Sequence, residues 1–101
     1  MRPVLTLLLA SLPFLPAVAA DPLTGRAIAE QWCANCHRVA TAGPGPVSDA
    51  VPAFAAIGRR PEVTAAGLAT FLRTPHATMP DPGLTLRQAE DIAAYILSLR
   101  P

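Results

Sequence analysis

Cys33-Ala34-Asn35-Cys36-His37 is the stretch on which the reading of this chain turns. The C-x-x-C-H run is the attachment pattern of a c-type haem. Two thiols separated by two residues can add to the two vinyl groups on one edge of a porphyrin. The next residue, His37, then aims an imidazole nitrogen at the iron. Thioether bonds are irreversible, so such a cofactor is kept without deep burial. Three plainer readings compete: a thioredoxin-like redox pair, half of a zinc site, and a structural disulfide. A zinc site wants four ligands, and the two Cys, two His and few carboxylates are poorly spaced for one. A thioredoxin-like site needs strands around it, whereas the residues flanking Cys33 pattern as helix.

Outward toward the N-terminus, residues 1–20 have the outline of a secretory leader. Arg2 is a basic start, Val4 to Leu15 an apolar stretch, and Ala17-Val18-Ala19-Ala20 a small-residue cleavage region, with cuts after Ala19 or Ala20 fitting equally. An uncleaved anchor is the alternative, but the run is short for a bilayer and carries Pro13 and Pro16. Export agrees with the haem motif, because bacterial haem attachment takes place outside the cytoplasm. Residues 21–101 then form one small monohaem domain, expected in the periplasm. Its apolar core is marginal for its size, so the haem acts as a staple.

Seven arginines face seven acids within residues 21–101, with no lysine, so this part is formally neutral. Neutrality argues against nucleic acid and against stable association with an anionic membrane. Both cysteines belong to the motif, which leaves none for a structural disulfide.

Three segments pattern as helices, with a shorter fourth turn, and no alternation suggests a strand, so the expected class is all-α. The first runs from about Pro22 or Thr24 to Cys36, with Ile28 and Trp32 on one face. The second covers Thr64 to Arg73 and stops before Pro75. A short turn spans Ala53 to Ile57 and ends at Gly58. The last, residues 86–99, opens on the T-x-x-Q capping box of Thr85 and Gln88 and repeats Ala89, Ile92, Ala93, Ile96 and Leu99 at helical spacing. Between the first and last helices lie Pro44, Pro46, Pro52, Pro61, Pro75, Pro80 and Pro82. Apolar residues such as Val47, Val51 and Phe54 are interspersed, which suits stiff loops wrapped on a haem face better than disorder.

A haem held by His37 has one further iron position, and its occupant separates electron transfer from ligand chemistry. Met79 is the favoured ligand, as the one methionine outside the leader, in the proline-flanked Thr78-Met79-Pro80 loop. Gap filling in a core is the usual work of methionine, but this loop is polar. His76 is the competing ligand, and its commoner fate is solvation or a hydrogen bond to nearby backbone.

These features together resemble class I cytochromes c, in particular the small bacterial monohaem ones, over the whole of residues 21–101. The resemblance rests on Cys33-Ala34-Asn35-Cys36-His37, on Pro75-His76-Ala77-Thr78-Met79-Pro80, and on a terminal helix carrying Ala94-Tyr95-Ile96. It implies a cytochrome c fold of three to four helices around one covalent haem c. Cys33, Cys36, His37 and Met79 would bind the cofactor, with His37 and Met79 on the iron. It also implies a crossing of the first and last helices at Gly25 against Tyr95 and Ile92. A proline carbonyl, Pro44 or Pro46, would accept the His37 Nδ1 hydrogen bond. The chain departs from larger members at Ala29, where they carry an aromatic, with Trp32 nearby to supply bulk. It also lacks the lysine ring by which mitochondrial relatives dock. The implied function is single-electron carriage between redox proteins by a monomer that is not an enzyme. The alternatives are a haem enzyme or gas-binding protein with an open iron position, and a thiol-disulfide protein without haem.

Overall fold

Thr85 starts the helix that organises the molecule. Its hydroxyl accepts from the Gln88 N–H at 3.1 Å, and the Gln88 side chain accepts from the Thr85 N–H at 3.0 Å, so two otherwise orphaned donors are satisfied reciprocally. The computed structural model describes residues 10–15, 18–43, 45, 48–76 and 78–101. In it, four helices follow in order: α1 (Pro22–Trp32), α2 (Phe54–Gly58), α3 (Ala65–Leu72) and α4 (Leu86–Ser98). The described residues form no strand, so the protein is all-α.

Helices α1, α2 and α3 all pack on α4. Ile92 and Ile96, the largest fully buried side chains, lie at i, i+4 on its inward face, beside Ala89, Ala93 and Tyr95. Two glycines set how closely the partners approach. A Cβ on Gly25 would lie 1.9 Å from the Asp91 carbonyl oxygen, and one on Gly58 2.5 Å from that of Ile96. Backbone therefore meets backbone at both crossings. The α1 contact falls on Ile92, as expected, and on Asp91, one turn before Tyr95; Asp91 takes the place expected of Tyr95 as the nearest neighbour of Gly25.

The expected boundaries shift by a residue at α2, α3 and α4 and by four residues at the end of α1. Helix α1 ends at Trp32, not Cys36, because Cys33 caps it and the chain tightens into turns, with the Cys36 and His37 N–H groups both donating to the Cys33 carbonyl. Helix α3 begins after Thr64, whose hydroxyl accepts from the Gly67 N–H at 3.1 Å. Trp32 is 47% exposed and Phe71 51%, whereas Ala29 is fully buried.

Candidate functional site: the His37 and Met79 segments

The turn after α1 presents both thiols of the motif. Cys33 is half-buried and Cys36 exposed, and burial pushes the Cys33 thiol above its ordinary pKa. His37 follows, and its Nδ1 lies 2.7 Å from the Pro52 carbonyl oxygen. A carbonyl can only accept, so Nδ1 carries the proton and Nε2 keeps its lone pair for a metal. Pro52 therefore does what was expected of Pro44 or Pro46, both of which lie outside the described residues. The reach is longer than expected: the acceptor stands fifteen residues after His37, just before α2. A backbone acceptor leaves no side-chain signature by which a sequence could reveal it.

Three contacts hold that return in register. The Phe54 N–H donates to the Arg38 carbonyl at 3.0 Å, and the buried Tyr95 hydroxyl donates to the Val39 carbonyl at 2.5 Å. The Phe54 ring packs between the two, with centroids 5.3 Å from His37 and 6.3 Å from Tyr95. Thus α4 fixes Val39, α2 fixes Arg38, and His37 is oriented from both sides. Burial of the Tyr95 ring raises its phenol pKa, reinforced by Glu30 and opposed by Arg26. Arg38 Nε is buried without a hydrogen-bond acceptor among the described residues, next in sequence to His37.

Met79 lies on the loop between α3 and α4, half-buried and facing His76 across a single antiparallel bridge. The loop is anchored at both ends. Arg73 Nε donates to the Leu84 carbonyl at 3.3 Å, and the Thr74 hydroxyl donates to the Thr70 carbonyl at 2.7 Å. At its far end Gly83 takes a φ of +64°, with its N–H on the Asp81 carboxylate at 2.9 Å, closing a turn that only glycine adopts freely. His76 is tied down locally: its Nδ1 donates to the Thr74 carbonyl at 2.8 Å and its ring lies on Phe71, centroids 3.8 Å apart. Sequence reasoning singled out Met79 and His76 as candidates but missed the Arg73 strut, because an arginine bonding a backbone carbonyl across a loop has no pattern.

The donor set fits a haem c. A turn offers two free thiols, the histidine has one nitrogen committed and the other open, and a buried guanidinium nitrogen awaits an acceptor of the kind a propionate supplies. Among the described residues no three His, Cys, Asp or Glu side chains converge as a closed zinc site requires.

Such an arrangement belongs to the c-type cytochromes, and comparison with known proteins agrees. The family described as cytochrome c oxidase, cbb3-type, subunit III matches residues 20–96, and the chain belongs to it. A curated relative named cytochrome c-552, from Bradyrhizobium diazoefficiens, is 49% identical over 85 residues, which cover 84% of this chain and 81% of the relative. No solved structure matches. The chain is a small c-type cytochrome, an electron carrier whose cofactor is a covalently bound haem c with its iron.

Proposed function

We propose that the protein is a periplasmic single-electron carrier in which Cys33 and Cys36 would form the thioethers and His37 and Met79 would ligate the haem iron. The observation that carries the reading is the His37 Nδ1 hydrogen bond to the Pro52 carbonyl. It fixes the tautomer and the ring orientation and leaves Nε2 as the nitrogen available to a metal. The haem supplies an iron that gains and loses one electron. The protein's part is to keep the ligands unchanged as it does so, which suits fast transfer and denies the iron to oxygen or peroxide. A soft thioether from Met79 favours the ferrous form and so a higher potential.

Residues 1–20 are the export leader in this reading and residues 21–101 the working domain, in keeping with a family match that begins at residue 20. Among the described residues no helix is long and apolar enough to cross a membrane. Its partners are a donor and an acceptor that dock transiently on a monomer near the haem edge. Paired variants test the ligand assignment. Met79→Ala should lower the reduction potential and let the ferrous iron bind carbon monoxide, and His76→Ala should do neither. Carbon monoxide binding by wild type, unchanged in Met79→Ala, would establish the rival reading of an open iron position.

A further inference from the structure

Asp91 is the one charged residue buried among those described, 4% exposed on the face of α4 that meets α1, and electron transfer makes no use of it. Its Oδ1 accepts from the backbone N–H of Asp21 at 2.8 Å. Its other neighbour, Arg87 on the same helix, approaches only to 3.4 Å through Nε and is half-exposed. In the uncut chain the two outer nitrogens of Arg87 are turned away, donating to the Val18 and Ala19 carbonyls at 2.8 and 2.5 Å, acceptors that leave with residues 1–20. A buried carboxylate with one neutral donor and a loosely placed guanidinium is poorly compensated.

We propose that hydrolysis of the Ala20–Asp21 peptide bond completes this site, because the α-ammonium it creates on Asp21 forms a buried ion pair with Asp91. The inference rests on the export reading above. Water adds across the bond: its hydroxyl goes to the Ala20 carbonyl carbon, its hydrogen to the Asp21 nitrogen, and that amine takes a further proton from solvent. The new charge arises at the atom that already faces Asp91. A neutral donor thus becomes a charged one with no movement of the chain, and such charge-assisted bonds are roughly twice as strong.

Position and electrostatics both favour a folded domain that begins at Asp21 over one that begins at Ala20. Asp21 is the N-cap of α1, its carboxylate accepting from the Leu23 and Thr24 N–H groups, and Gly25 presses α1 onto the Asp91 carbonyl. The Asp21 nitrogen is therefore held in place. An ammonium at a helix N-terminus opposes the helix dipole. Here the Asp21 and Asp91 carboxylates offset that cost. A cut after Ala19 would leave the Asp21 nitrogen an amide and put the new charge one residue outward, beside the Arg87 guanidinium. Val18 and Ala20 at the third and first positions before the cut are small enough for signal peptidase.

The sequence holds no lysine, so after maturation the α-amine is the sole primary amine and an amine-reactive ester reads it alone. The test uses exported, haem-loaded protein, its terminus fixed by mass and its fold checked by the haem spectrum. The mature chain should begin at Asp21, and wild type should label about tenfold more slowly than Asp91→Asn, since pairing that holds the amine protonated through one further pH unit lowers the free base tenfold. Should Asp91→Asn fail to fold, a chain cut one residue earlier to retain Ala20 serves instead, and it should label faster and melt lower than wild type. A chain that starts at Asp21 but labels as fast as either variant overturns the ion pair and leaves export intact. A wild-type start at Ala20 does the same, whereas an uncut chain overturns the leader reading as well.

Discussion

Tyr95 shows how much one side chain does for the site. Its hydroxyl is the donor that fixes the Val39 carbonyl, two residues after His37, from the opposite helix. Tyr95→Phe keeps the ring against Phe54 but leaves a buried carbonyl without its donor, at about 1–3 kcal/mol. Thermal unfolding of the holoprotein should register that loss, and an unchanged midpoint would mean the contact contributes nothing. The raised phenol pKa adds a pH signature. A group whose pKa is higher folded than unfolded contributes stability that is present below the ordinary tyrosine range and lost as pH rises through the folded value. Wild type should lose stability above that range, and Tyr95→Phe should lack this part of the loss. The ionised Asp21 side chain behaves oppositely. Hydrogen bonds from Thr24 and Leu23 hold its pKa below the usual carboxylate value, so its contribution to α1 is present at neutral pH and lost on acidification through the folded value.

At the scale of elements, the helix contacts depend on two absent side chains. Gly25→Ala and Gly58→Ala would each drive a methyl into a carbonyl of α4, and each should cost about 1–3 kcal/mol through overpacking. Chemical denaturation of the two variants checks this, and wild-type stability in either would mean that crossing is slack. Arg100 bridges the same region from the chain end. Its guanidinium donates to the carbonyls of Gly58, Arg60 at 3.0 Å and Val63 at 2.7 Å, closing off the end of α2. Arg100→Ala should therefore lower the melting temperature, and Arg100→Lys should recover little, since a point charge cannot span three acceptors. The helices were legible in the sequence because their signals are local: the Thr85–Gln88 box, the 3.6-residue repeat in α4, the stop before Pro75. The end of α1 was not, because the turn at Cys33 is set by the cysteine carbonyl collecting two N–H groups, and nothing in residue type announces it. The role of Gly58 at a crossing was equally hidden, since a glycine that ends a helix and one that admits a neighbour look alike in a sequence.

For the whole molecule, the core among the described residues mixes six alanines with eight larger side chains, of which only Ile92 and Ile96 are fully enclosed. So thin a core is expected to need the haem it surrounds. Cys36→Ser should then leave little helix by circular dichroism, and a cooperative, helical apoprotein would contradict that dependence. With seven arginines against seven acids in residues 21–101, electrostatic steering toward a partner should be weak. Electron-transfer rates with the physiological partner should change little between low and physiological salt, and a steep fall would reveal a local patch such as Arg59 and Arg60. The motif residues of the site were legible because the chemistry of attachment dictates their type and spacing. The supporting shell of Pro52, Val39 and Leu84 acts through backbone carbonyls, which any residue possesses, so only the folded chain discloses it.

The central claim is that His37 and Met79 together close the iron coordination of an electron carrier. Near-infrared absorption of the ferric wild-type protein tests it most directly, because a thioether on ferric haem iron gives a weak charge-transfer band there that no histidine, water or open position reproduces. The band should be present in wild type, persist in His76→Ala and vanish in Met79→Ala. Its absence from correctly folded wild-type protein would contradict the account.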